Sequence, residues 1–212
     1  MTHFKSKFAL ASSAALLALA PFGAQADLHK ASISIGYFDD TTEISLLGYS
    51  ADVDSDGVIF AGSYFLTENL SIEADYLDGE LDGFPVDIES TAFGARYHFS
   101  RTDLRSGEGT GASIGIAHVN SEIEWTGVGS SDEDYTVGSV GVSTGLGNGL
   151  TAAAGYSTDL EEIGDTWAMS VGIGKAFGDL MVGASYSWGE EETDSILEVE
   201  TDGFLIGVSY LY

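Results

Sequence analysis

The 212-residue chain contains no cysteine, which removes both a disulfide framework and a thiolate metal site. It has two prolines against 28 glycines, a balance that suits close-packed strands and tight turns rather than disordered linkers. Positive charge is scarce: Lys and Arg total 7, Asp and Glu total 34, and the net charge is -27. Nucleic acid is excluded as a partner, because its phosphates would be repelled. A membrane-spanning helix is also missing. It needs about 20 predominantly apolar residues, and beyond the first 26 residues every candidate run is interrupted by Asp, Glu or Gly. No shift in composition marks a second domain.

What is present begins with a leader. Lys5 and Lys7 precede an apolar run over residues 8–20, and Ala24-Gln25-Ala26 follows. This is the pattern of a secretory signal peptide cleaved after Ala26, leaving Asp27 as the mature terminus and residues 27–212 as one domain. Two of the few bases leave with the leader and no acid does, so the mature chain is more acidic still.

From there to the end the apolar pattern has period two. In the last ten residues Phe204, Ile206, Val208, Tyr210 and Tyr212 fall on one face, and Leu205, Gly207, Ser209 and Leu211 on the other. The same alternation recurs at 58–65 and 70–76, at 91–99, 111–119 and 135–146, and at 150–157, 167–175 and 180–188. A mean hydropathy just above zero beside so large a charge requires the two to be segregated. Behind an export signal, the large apolar faces are expected to meet lipid and the small faces a lumen. The predicted fold is an all-β, transmembrane, antiparallel up-and-down barrel in an outer membrane.

Short turns, such as Gly147-Asn148-Gly149, are expected to alternate with acidic loops at 77–87, 122–134, 159–165 and 190–202. Residues 31–38 and 43–51 both read as strands, which makes eleven segments. Since such barrels have even strand numbers, either the two segments form one long or bulged first strand or residues 31–38 lie outside the wall; we expect ten strands, with eight as the alternative. A lumen face of Gly, Ser and Ala in a ten-stranded barrel predicts a narrow, wet interior, unless a loop or residues 31–38 plug it.

Several constellations could carry chemistry. Glu73, Asp75, Arg96 and His98 share the lumen face of neighbouring strands, where a charge needs a partner. A hairpin centred near Gly83 and Phe84 would set Arg96 opposite Ser71 and diagonal to Glu73. Asp52, Asp54 and Asp56, followed by Gly57, match the first half of a calcium loop expected at a hairpin tip. The bidentate Glu required at the twelfth position is Ser63, so an EF-hand is excluded and only weak calcium binding remains. The acids Asp78, Glu80, Asp82, Asp132, Glu133, Asp134, Glu161, Glu162, Glu190, Glu191 and Glu192 are expected to form an anionic rim. Such a rim gives solubility, or concentrates cations at a pore mouth, or binds divalent ions shared with anionic lipid. The mature chain holds only His29, His98 and His118. His118 with Ser121 and Glu122 is the sole cluster suggestive of catalysis, and we do not expect an enzyme.

The carboxy-terminal Gly207, Tyr210 and Tyr212 carry the spacing Gly-x-x-aromatic-x-aromatic, and Gly94, Tyr97 and Phe99 repeat it. With the leader and the alternating strands, the chain resembles the small OmpA/OmpX-type, porin-like outer-membrane β-barrel proteins of Gram-negative bacteria, without a periplasmic peptidoglycan-binding domain. The resemblance implies that Gly207, Tyr210 and Tyr212 form an assembly signal read by the outer-membrane barrel assembly machinery. It also implies contact with outer-membrane lipid and lipopolysaccharide, no cofactor beyond loosely held divalent cations, and a monomer. Function is expected to be structural or that of a narrow cation-preferring passive pore, with a surface-adhesion barrel or a lipid-modifying enzyme as alternatives.

Overall fold

The computed structural model describes residues 30–46, 49–161, 166–193 and 197–212; the leader, Asp27, His29 and Glu162 lie outside the described residues. Period-two alternation produces ten strands: β1 (Ala31–Leu46), β2 (Tyr49–Phe65), β3 (Leu70–Leu81), β4 (Val86–Ser100), β5 (Thr110–Trp125), β6 (Gly129–Gly147), β7 (Leu150–Asp159), β8 (Thr166–Phe177), β9 (Leu180–Thr193) and β10 (Leu197–Leu211). Each pairs with its sequence neighbour and β1 pairs antiparallel with β10, which closes the barrel. Residues 31–38 belong to the wall as part of β1, which continues through Asp39 and Asp40 to Leu46, while the second expected segment, 43–51, is divided between the end of β1 and the start of β2.

The outward face has two bands. The lower one is apolar, with Ile33, Ile35, Ile114, Ile116, Val140, Val171, Ile173 and Ile206 exposed. Tyr64, Tyr97, Phe99, Phe177, Tyr210 and Tyr212 lie towards its periplasmic edge, and Tyr37, Tyr186 and Phe204 towards its outer edge. Such aromatic girdles mark the two membrane interfaces. Above the upper girdle the strands continue: β1, β2, β5 and β6 run to 16, 17, 16 and 19 residues, where about 9–11 cross a bilayer. The extra length is acidic. The seam between the bands is visible in Tyr37, which donates to Asp56 at 2.9 Å, and Tyr186, which donates to Asp202 at 2.7 Å.

This corrects the expected acidic loops. Asp78, Glu80, Asp132, Glu133, Asp134, Glu190 and Glu191 are strand residues, and only Asp82 and Glu161 among the described rim acids stand in connections. Acidic residues are poor strand formers in isolation, yet the ladder of a neighbouring strand carries them upward. Asp52, Asp54 and Asp56 are corrected in the same way: they lie within β2 rather than at a hairpin tip. An extended strand spaces alternate side chains by about 6.5–7 Å along one face. The three carboxylates therefore do not converge as a calcium loop requires. Asp54 instead accepts from Thr41 at 2.9 Å.

The lumen carries an apolar cluster at one level, in place of the uniformly small lining of Gly, Ser and Ala expected from the sequence. Phe38, Ile59, Leu77, Ile88, Ala92, Val119, Tyr135, Val137 and Leu205 form one buried cluster. They come from β1 to β6 and from β10, so opposite walls meet at the middle. Glycines make the fit. The Phe38 ring lies over Gly57 and Gly79, where an added Cβ would come within 2.7 Å of it in each case. A second cluster, Leu104, Met181 and Leu211, sits at the periplasmic end. Leu104 comes from the 101–109 connection, the longest among those joining the strands, which folds back under the barrel.

Candidate functional site

The charged site lies inside the wall between the two clusters. Strand register brings Ser71 of β3 opposite Arg96 of β4, and Glu73 opposite Gly94. Side chains of one face at diagonal positions are within reach of a long residue, and Arg96 uses that reach. Its Nε lies 3.0 Å from Glu73 Oε1 and 3.1 Å from Oε2. Nη1 donates to Ser113 at 3.3 Å and Nη2 to Ser139 at 3.4 Å. The guanidinium thus spans from β3 across β5 to β6, over Gly115, where a Cβ would stand 3.3 Å from Arg96 Cζ. Arg96 is 3% exposed and Glu73 12%. A guanidinium so withdrawn from water is tolerable because its fork is matched to a carboxylate and two hydroxyls. Asp75 shares the lumen face, but the hydrogen bonds of Arg96 go to Glu73, Ser113 and Ser139 rather than to it.

His98 packs beneath, its ring 5.1 Å from that of Phe65. Its Nε2 lies 3.0 Å from Ser71 Oγ, and Ser71 Oγ donates to Glu73 Oε1 at 3.3 Å. Ser71 Oγ thus stands between Glu73 and the His98 imidazole, whose Nδ1 is buried without a hydrogen-bond partner among the described residues. The arrangement ties β3 to β4 through Ser71, Glu73 and His98. The other suggestive cluster is taken apart by the strand pleat. His118 points outward, 3.7 Å from Asp134, while Ser121 is buried on the lumen side and bonds to the Glu89 carbonyl at 3.4 Å. Sequence distance alone had grouped residues that lie on opposite faces.

Towards the extracellular rim the lumen face is acidic: Asp40, Asp159 and Glu191 are all buried there. Asp40 lies over Gly203 of β10 and beside the Thr42–Thr201 hydroxyl pair at 3.0 Å. It sits above the apolar band, since Asp39, Thr41 and Glu43 flank it outward. Its Oδ1 has no hydrogen-bond partner among the described residues. Burial, with repulsion from Asp39 and Asp202, pushes its carboxyl up to about 7. Sequence reading missed this site, because residues 39–42 looked like a break between two strands. Among the described residues no group of three or more His, Asp or Glu is placed to hold a metal ion.

The periplasmic mouth is closed by the 101–109 connection. Its backbone is tied to the β6–β7 turn: Gly145 N donates to Gly109 O at 2.8 Å, Gly147 N to Gly107 O at 2.7 Å and Gly149 N to Ser106 O at 2.7 Å. Thr102 and Ser143 share a hydroxyl bond of 2.8 Å. Arg105 pairs with Asp179 in the β8–β9 turn, and Arg101 lies over the Phe65 ring, 4.6 Å from its centroid. Leu104 is 0% exposed. At the carboxy terminus Tyr210 and Tyr212 face outward with ring centroids 4.8 Å apart, and Gly207 faces inward between Gly36 and Gly183. Tyr212 N donates to Ala31 O at 2.9 Å and Lys30 N to Tyr212 O at 3.0 Å, so this motif is also the closing seam.

With this geometry in hand, residues 78–212 match the family model described as Gram-negative porin. No curated protein sequence matches the chain. Among solved structures, the translocator domain of the autotransporter NalP from Neisseria meningitidis aligns with 100% of both chains at 12% identity and a TM-score of 0.54. Neisserial surface protein A aligns with 85% of this chain and 97% of its own at 14% identity and a TM-score of 0.42. Ail of Yersinia pestis aligns with 87% and 99% at 14% identity and 0.38. At these identities the first likeness concerns the fold, and the other two add nothing to the argument.

Proposed function

The chain belongs to the Gram-negative porin family and is an outer-membrane β-barrel, and from that premise we propose that it is a closed barrel with a structural or surface-interaction role rather than a standing pore. The observation that carries this reading is the apolar cluster to which seven strands contribute. Ions do not cross a close-packed hydrocarbon core, because desolvating them costs far more than thermal energy supplies. The tall acidic wall then stands among lipopolysaccharide head groups. Its outward carboxylates meet anionic lipid through loosely held divalent cations, with no cofactor. Tyr210, Tyr212 and Gly207 serve as the assembly signal, and the barrel works as a monomer. Catalysis has no support in the arrangement around Ser71 or His118.

A second reading is favoured by the charge of the lumen. Asp40, Glu73, Asp75, Asp159 and Glu191 face it against the single guanidinium of Arg96, so any path that opened would prefer cations. Planar-bilayer recordings of purified protein separate the two. The closed barrel gives a silent membrane, and steady steps with a reversal potential favouring K⁺ over Cl⁻ would replace it with the narrow pore.

A further inference from the structure

The extracellular end of the lumen carries buried acid and no base. Outside the leader the Lys and Arg residues are Lys30, Arg96, Arg101, Arg105 and Lys175. Four of them stand at the periplasmic end, and Arg96 sits below the apolar cluster. Above that cluster the register draws a polar arc along the lumen face of β1, β10, β9, β8 and β7. Asp40 pairs with Gly203, which puts Thr201 on its diagonal. Thr201 is diagonal to Glu191, and Glu191 is directly opposite Thr166. Asp159 lies one residue past the Thr158–Trp167 pair. Two polar atoms of this arc are left over. Asp40 Oδ1, which leans over Gly203, and Thr166 Oγ1 have no hydrogen-bond partner among the described residues. Asp40 is nevertheless 3% exposed and Thr166 1%. With no opposite charge at this level, burial and repulsion from Asp39 and Asp202 raise the Asp40 carboxyl to about 7.

We propose that this arc binds a small aliphatic amine, its ammonium among Asp40, Thr201, Glu191 and Thr166 and its alkyl chain against the facing wall. A buried carboxylate needs a counter-charge, and this chain supplies none at that level. Water would satisfy the Thr166 hydroxyl but brings no charge. A metal ion does not suit the spread of the arc, since among the described residues no group of three or more His, Asp or Glu is placed to hold one. The wall across the lumen also selects against a bare ion. β4 and β5 lie on the opposite side of the ring from β9 and β10. There the buried Ile88 and Ile123 are directly paired, with the buried Val86 above. Such hydrocarbon gains nothing from a hydrated ion and covers an alkyl chain favourably. An ammonium brings three donors, and its hydrogen bonds to carboxylates are charge-assisted. The site rests on the closed-barrel reading, because the apolar cluster is its floor. Failure of that reading shows as conductance in bilayers rather than as a loss of binding.

The test is an amide NMR titration of the isotope-labelled barrel in detergent micelles with n-butylammonium chloride. Saturable shifts are expected at Gly203 and Thr166, and none with sodium chloride at the same ionic strength. Asp40→Asn should weaken binding about tenfold or more, and Thr166→Val by less. Asp132→Asn, on the exposed outward face of β6, should leave it unchanged. Heat-modifiable mobility shows that each variant is folded; should Asp40→Asn not fold, Thr166→Val carries the comparison. The absence of saturable shifts, or parental affinity in the folded lumen variant, would overturn the proposal. So would calcium chloride moving the same amides at a lower concentration than the amine.

Discussion

The two ends of the lumen are shut by different means. At the extracellular end the wall closes itself: Phe38, Ile59, Leu77, Ile88 and Leu205 project inward from separate strands, and glycines on neighbouring strands make room for Phe38, Ile59 and Leu205. At the periplasmic end the wall is lined by Ser and small residues, and closure comes from a connection folded back across the mouth, fixed by backbone bonds and by Leu104. A barrel can thus be filled by alternation along its strands or capped by a turn. The first closure is part of the fold's stability. The second can change without unfolding the wall.

That contrast is most exposed at Phe38. Phe38→Ala removes the largest fully buried hydrocarbon side chain of the upper cluster and leaves a void above Gly57 and Gly79. It is expected to cost about 3–5 kcal/mol in denaturant unfolding in detergent, and to give leak currents in bilayers that are silent for the parent. Arg96 sits between the two closures and belongs to neither. Arg96→Ala leaves Glu73 withdrawn from water without its partner and is expected to cost about 3 kcal/mol. The double variant with Glu73→Ala should lose less than the sum of the singles; strict additivity in the unfolding midpoints would mean that the observed pair contributes no coupling.

Leu104→Ala tests the periplasmic cap. It is expected to cost about 2–3 kcal/mol and to expose Arg101 and Arg105 to trypsin added from that side, while bilayers stay silent because the upper cluster is intact. The smallest effect concerns Asp40, whose folded carboxyl is raised to about 7. The folded state then holds a proton that the unfolded chain has released between pH 4 and 7, so this group's contribution falls as pH rises through that window. Asp40→Asn should flatten that slope and raise stability above pH 7 by about 1–2 kcal/mol, discounted for water entering at the rim. An unchanged slope would mean that Asp40 is hydrated.

Much of the barrel was legible because period two is local. Each strand declares its two faces from its own residues, and Gly147-Asn148-Gly149 declares its turn, with Asn148 at a φ of 53°. The position of Gly83 likewise sets the register that brings Arg96 to Ser71. The lumen was less legible, because what fills it is set by which residues lie at one height on different strands. Leu77 and Ile88 looked like loop or loop-edge residues until the ladder carried β3 and β4 upward, and Leu205 looked minor beside Phe204 and Ile206. Nothing in residues 101–109 announces that Leu104 turns inward to meet Met181 and Leu211, since that contact joins strands distant in the chain. Asp40 was hidden for the same reason: its burial depends on Gly203, far away in sequence.

The absence of cysteine makes the central claim directly testable. Ser170 of β8 faces the lumen beside Arg96 and Gly155, between the two closures, and is 8% exposed. Ser170→Cys introduces the chain's only thiol with little change of volume. In barrels reconstituted into vesicles, a membrane-impermeant maleimide added to either side is expected to leave it unlabelled, with full labelling after unfolding in denaturant. Rapid labelling of the folded barrel from either face would contradict a closed lumen.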